Sequence, residues 1–289
     1  MTEGIDMTYQ GIDTAARITA EKAQILRAEG FSFAARYLVP ESHWKALTKQ
    51  EADDIRKAGL ALMLCYEMGG EDLKGGAPQG AAQGAQARKL AEGMGVPAGT
   101  CIYFAADYDV PQADYAAIEQ YMIAAQTALG SKYVAGLYGP LGIVEFLAGR
   151  GSVKRFWQCV AWSARFSEAA TVRQYAWQGD ARAKAVAAKL GVAVDLNETQ
   201  TLTGMWGIPV PADGYDDGEG GTIIDYSGGG SGGTSTASDA LAWARNVGIA
   251  IPTPASTATM ADVAGLLYEY HRRFGPEDEK SLGGALSDE

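Results

Sequence analysis

Between residues 9 and 197, short apolar runs of strand character alternate with longer stretches of helical character. The strand-like runs fall at 11–13, 33–39, 60–67, 100–107, 133–138, 155–162, 172–175 and 192–196, which makes eight. Helical segments lie between them, at 19–29, 48–58, 80–95 and 112–129. Thr48 followed by Glu51 reads as a capping box, in which hydroxyl and carboxylate satisfy each other's free amides. Gly30, Gly59, Gly95, Gly130 and Gly191 stand where helices should stop. Strand and helix repeated eight times predict a parallel sheet closed as a (β/α)8 TIM-type barrel; a doubly wound open sheet is the alternative.

The pattern breaks after about residue 204. Pro209 and Pro211 lead into a Gly/Asp-rich stretch, and 227–235 reads SGGGSGGTS, the composition of a flexible linker. Helical patterns return at 237–246 and 259–274. In the second, Met260, Val263, Leu267, Tyr270 and Phe274 form a stripe suited to packing on a neighbour. The expected organisation is a barrel over 1–203, a linker over 204–235 and a short helical tail over 236–289, which would dock on a protein partner or self-associate.

Charge follows the same division. The net charge of −11 splits into −2 for residues 1–203 and −9 for 204–289. An acidic chain without clustered Lys and Arg does not suit a phosphate backbone, so no nucleic-acid partner is expected. Nor is a membrane span, since no apolar run approaches ~18 residues. The first ten residues lack a basic region and an apolar core, so no signal peptide is expected and synthesis is placed in the bacterial cytoplasm. Cys65, Cys101 and Cys159 are far apart, without a CxxC pair, and read as small buried hydrophobes.

In a (β/α)8 barrel the chemistry sits at the C-terminal ends of the strands. Reading those ends gives Asp13, Glu67, the pair Asp107 and Asp109, and Asp195. Buried carboxylates are costly and each can be explained singly as a helix cap, but five at such positions point to a site. Residues 107 and 109 share a face if the strand continues, and adjacent carboxyls divide into one acid and one ionised group, as glycosidic cleavage requires. Tyr37, Tyr138, Trp162 and Tyr175 offer rings for sugar stacking. Gln158 and Gln174 would position a substrate or bond to each other. His43 and His271 are the only histidines, too few for a Ser-His-Asp or His-metal centre. Asp107 and Asp109 leave room for a divalent cation, but neither a metal nor a cofactor is expected.

Seven segments carry a family resemblance: GIDTA at 11–15, FAARYLVPESHWKALTKQEADDIRKAGL at 33–60, GTCIYFAADYD at 99–109, YVAGLYGP at 133–140, FWQCVAW at 156–162, VRQYAW at 172–177 and VAVDLNET at 192–199. In this order they resemble the lysozyme-like family 25 glycoside hydrolases, and most of all their glycoside-hydrolase-like relatives in phages, actinobacteria and spore formers. The resemblance implies a barrel whose carboxylate-lined cleft acts on bacterial cell-wall polysaccharide. Asp13 matches the first-strand aspartate and Asp195 the aspartate of the VDLN motif. Asp107 and Asp109 match a fourth-strand pair that reads Asp-x-Glu in true lysozymes, with the Glu as acid. Here the second member is one methylene shorter, so the acid role falls to Asp109 or Glu67. The expected function is a muramidase-like peptidoglycan hydrolase, a phage lysin or tail-associated enzyme acting at the cell wall or carried on a virion. The alternative is a non-catalytic glycan-binding or structural module of a virion or envelope.

Overall fold

A computed structural model describes residues 8–207. The chain from 208 onward, with its Gly/Ser run and the helical tail and apolar stripe expected of it, lies outside the described residues.

Eight strands close a barrel in sequence order. They are β1 (Tyr9–Asp13), β2 (Phe33–Tyr37), β3 (Ala61–Tyr66), β4 (Cys101–Ala105), β5 (Val134–Gly139), β6 (Phe156–Gln158), β7 (Val172–Ala176) and β8 (Asp195–Thr199). Six α-helices surround them: α1 (Ala20–Ala28), α2 (Lys49–Lys57), α3 (Gly76–Met94), α4 (Tyr115–Leu129), α5 (Leu141–Arg150) and α6 (Ala181–Leu190). The architecture is the TIM-type barrel that the alternation predicts.

The period of two along each strand sorts the side chains into two layers. Phe33, Ala35, Ala61, Met63, Cys101 and Tyr103 point inward and pack across the barrel. Ala34, Leu62, Leu64, Ile102 and Phe104 point outward under the helices. Helix ends are set locally. Thr19 and Asp180 cap α1 and α6 through their side chains, and Gly95 and Gly191 end α3 and α6 in the left-handed conformation that suits glycine.

Three features depart from a simple eightfold repeat. First, β8 is antiparallel to both β7 and β1. Asp195 pairs with Asp13 and Leu196 with Ala176, so the excursion through α6 leaves and re-enters at one end of the barrel. The strand expected at 192–196 therefore occupies 195–199 and runs in the opposite direction. Second, no helix joins β6 to β7. The long strand expected at 155–162 stops at Gln158, because the chain turns at once: Cys159 Sγ contacts the Ala161 carbonyl at 3.2 Å, and Trp162 adopts a left-handed φ of 53°. Third, the chain just past β8 pairs back onto the barrel. Trp206 exchanges two backbone hydrogen bonds with Leu62, and Cys101 N donates to the Gly204 carbonyl, so this segment fills the gap between the lower ends of β3 and β4.

The Thr48–Glu51 capping box forms only by half. Thr48 Oγ1 accepts from Glu51 N at 3.2 Å, but the Glu51 carboxylate turns inward to Arg36, with Nε–Oε1 at 2.6 Å and Nη2–Oε2 at 3.3 Å. A charge-assisted, two-pronged partner outcompetes a neutral amide. Arg36, only 1% exposed, also donates to the carbonyls of Thr14 at 2.8 Å and Ala15 at 3.3 Å, directly behind the end of β1.

Helices α3 and α4 approach so closely that glycine is required between them. A Cβ on Gly80 would lie 2.2 Å from the Tyr121 carbonyl oxygen, and one on Gly84 would lie 2.7 Å from that of Ala125. Both obstacles are backbone, so the helices themselves must separate. Gly80→Ala is expected to destabilise the protein by about 1–3 kcal/mol despite its better helix propensity. Thermal unfolding checks this, and an unchanged midpoint would show that the helices yield freely.

Candidate active site

At the end of the barrel where β1 to β7 finish, a cavity of about 70 Å³ is lined by Asp13, Glu67, Asp107 and Asp195, together with Tyr37, Cys65, Tyr138, Trp157 and Gln174. Glu67 and Asp107 continue the inward-facing series of β3 (61, 63, 65) and β4 (101, 103, 105) one step past the last paired residue. Asp13 ends β1, while Asp195 begins β8. The reversal of β8 is what brings the first residue of that strand, rather than its last, to the mouth.

Asp13 is the anchor. It is 7% exposed, and its Oδ2 accepts from Asn197 Nδ2 at 2.7 Å and Gln174 Nε2 at 3.0 Å. Both amides are held in orientation from behind. Trp157 Nε1 donates to Asn197 Oδ1 at 2.7 Å, and the Tyr138 hydroxyl donates to Gln174 Oε1 at 3.2 Å. Gln174 Nε2 also donates to Asp195 Oδ2 at 3.2 Å, so one amide nitrogen serves two carboxyls. Across the pocket, Lys45 reaches in from the β2–α2 connection, with its Nζ 2.7 Å from Glu67 Oε1 and 4.2 Å above the Tyr37 ring. Asp107 N donates to the Gly70 carbonyl at 3.0 Å, which pins the β4 end against the loop after β3.

Burial raises the proton affinity of all four carboxyls. Asp13 is pushed up to about 6, against the pull of its bonds from Asn197 and Gln174. Asp195 is pushed up to about 7 by burial and then by the charge of Asp13, against a backbone bond from Gln178. Glu67 rises through burial and is drawn back by Lys45. Asp107, exposed at the rim on one side, still rises because barrel walls desolvate the other; Lys45 and Tyr138 oppose this.

Of the residues marked in the sequence, Asp13, Glu67, Asp107, Asp195, Tyr37, Tyr138 and Gln174 meet in this cavity. Four do not. Asp109 lies outside the lining, because β4 ends at Ala105 and the turn that follows breaks the shared face; it is exposed and its charge acts on Tyr115. Gln158 faces away from the barrel axis. Its Nε2 donates to the Arg165 carbonyl at 2.7 Å and its Oε1 accepts from Ser167 N at 2.8 Å, so it holds the β6–β7 loop rather than a substrate or Gln174. Tyr175 points outward, with its hydroxyl on Gln10 Oε1 at 2.8 Å and Arg182 over its ring. Trp162 stands 49% exposed on the β6–β7 loop at the same end, beyond the cavity wall. Among the described residues no three His, Cys, Asp or Glu side chains converge as metal ligands would, and the Asp107/Asp109 pair does not form the cation site its spacing suggested.

Sequence reasoning missed Lys45, Trp157, Asn197 and Cys65. Asn197 was legible, being two residues beyond Asp195 and so on its face in any strand. Lys45 gave no signal, because it sits in an irregular connection.

A closed barrel with buried carboxyls gathered at one mouth is the frame of a glycoside hydrolase-like protein. The chain belongs to the Rv2525c-like, glycoside hydrolase-like domain family, whose model matches residues 24–199. It is 36% identical over 152 residues to the uncharacterized protein YbfG of Bacillus subtilis, an alignment covering 47% of this chain and 21% of that protein. It is 30% identical over 151 residues to the uncharacterized protein FadG of the same organism, covering 48% and 26%. The chain thus spans about a quarter or less of these relatives. The fold is shared with the Tat-secreted protein Rv2525c of Mycobacterium tuberculosis, solved with L-tartrate, at 24% identity and a TM-score of 0.59 over 68% of this chain and 98% of that one. An uncharacterized protein of B. stearothermophilus is also similar, at 20% identity and a TM-score of 0.51 over 68% and 100%.

The raised carboxyls predict a specific pH effect. A folded-state pKa above the unfolded value means that ionisation opposes folding, so this contribution weakens the fold as pH rises through about 6 to 7 and vanishes below the unfolded value near 4. Asp195→Asn keeps an acceptor for Gln174 while removing the charge. Its thermal midpoint is expected to exceed that of the wild type at pH 8 and to converge with it near pH 4. Parallel curves at the two pH values would refute the assignment.

Proposed function

We propose that this chain is a glycoside hydrolase acting on bacterial cell-wall peptidoglycan, muramidase-like in its chemistry. The observation that carries the reading is the set of four carboxyls in one pocket, each with its proton affinity raised by burial, two of them tied together by an amide whose orientation is itself fixed. Glycosidic cleavage needs one protonated and one ionised carboxyl on either side of the bond. Asp195 holds a proton near neutrality and is the donor. Asp107, at the rim, is the ionised partner that stabilises positive charge at the sugar carbon, and Asp13 orients Asp195 through Gln174. Glu67, paired with Lys45, remains an anion.

Membership of a glycoside hydrolase-like family supports this reading, and the Tat-secreted character of Rv2525c fits a substrate outside the cytoplasm. Action at a bacterial envelope, by an enzyme carried on a phage or a cell, belongs to the same proposal. One observation favours a second reading, a glycan-binding module without turnover: Asp109, at the position of the lysozyme acid, is turned out of the pocket.

Purified walls of several types, digested and analysed by mass spectrometry, decide between them. Release of muropeptides is expected, falling by at least ~100-fold in Asp107→Asn, the scale of losing a charge-stabilising or acid–base group. Asp109→Asn is expected to retain activity within about threefold, since distant surface changes are near neutral. Walls left intact, yet retaining the protein, would establish the binding module.

A further inference from the structure

The cavity is narrow and polar, about 70 Å³ with four carboxyls in its lining, a shape that suits a small polar substituent of a sugar standing at its mouth. The charge within it is one-sided. Four carboxyls line it, and among the described residues the one cation that reaches them is Lys45, paired with Glu67, so acidic groups outnumber basic ones. An uncharged substituent would bury these without compensation, and an anionic one would be repelled. A protonated amine brings a charge of the needed sign and three hydrogen-bond donors.

The rim supplies a second and independent indication. Trp44, Trp162 and Trp177 are 78%, 49% and 58% exposed, large apolar rings left in water. All three lie on connections that follow strand ends at the pocket mouth, after β2, β6 and β7. In an eight-stranded ring, β2 and β6 are opposite one another, so the connections that carry Trp44 and Trp162 leave from opposite sides of the mouth. One of the rings is held in place: Trp177 folds over Gly179, where any Cβ would lie 2.1 Å from the indole. Rings with apolar faces and a polar edge suit sugar faces.

We propose that the glycan this site reads contains a de-N-acetylated amino sugar, its ammonium group seated among the carboxylates while the flanking sugars stack on Trp44 and Trp162. This rests on the glycan-directed reading above and names the unit the pocket selects. An N-acetylated unit has no cation to offer, so along a wall glycan the pocket selects the positions from which the acetyl group has been removed.

Binding to the full chain is followed by calorimetry at pH 7 and about 0.5 M salt, where diffuse attraction to the acidic surface is screened. The probes are a glucosamine tetramer and the N-acetylglucosamine tetramer of the same linkage. The glucosamine tetramer is expected to bind at least about tenfold more tightly, the scale of one or two charge-assisted hydrogen bonds. Glu67→Gln should reduce that preference several-fold, whereas Trp44→Ala and Trp162→Ala should weaken both ligands alike. Equal affinities, tighter binding of the N-acetylated tetramer, or a preference unchanged in Glu67→Gln would overturn the proposal. Its failure is distinct from that of the hydrolase reading. Walls digested without a preference between tetramers would sink this inference alone, and a clear preference with no digestion would sink only the hydrolase.

Discussion

A carboxylate that is almost fully out of water must be satisfied from all sides, and Asp13 is where the barrel meets that demand. Its two side-chain donors come from β7 and β8, and the groups that aim those donors come from β5 and β6. Half the strands of the barrel therefore converge on one oxygen. The reversal of β8 follows the same logic. Run in this direction, the strand places Asp195 at the mouth and Asn197 one inward step below it, in reach of Asp13. A single bidentate amide, Gln174, then ties the two aspartates into one titrating unit.

Behind this lies a second buried charge. Arg36 and Glu51 form an ion pair under the turn that follows β1, and Arg36 holds the two carbonyls next to Asp13. Such pairs seldom add much net stability, because desolvation offsets the attraction, but losing one partner is severe. What the pair supplies is position. The end of β1 is fixed by side chains on its inner side and by Arg36 on its outer side, so Asp13 has little freedom to retreat from its neighbours.

Much of this was readable beforehand. The alternation of apolar runs gave the barrel, because most strands obey period two and five of the six described helices end at or beside a glycine already marked. The carboxylates at strand ends were legible because aspartate and glutamate are rare in such places without a reason. Where the reading failed, the cause was a local turn. Asp109 joins the site only if β4 continues, and residue type alone does not tell which face of their strands Gln158 and Tyr175 present. The direction of β8 was not legible at all, since period two looks the same from either end. Lys45 is set by an irregular connection that docks on β2, a tertiary fact that no spacing encodes.

The sector between β6 and β7 has its own significance. With no helix to pack there, the loop carrying Trp162 is braced by the side chain of Gln158, whose amide grips it from the outer face of the barrel, opposite the carboxyl network. Mutations in that loop can remodel one side of the mouth without disturbing the strands, the helix layer or the aspartates. Descendants of this chain thus have a place where the rim can diverge quickly while the buried carboxyls are inherited unchanged.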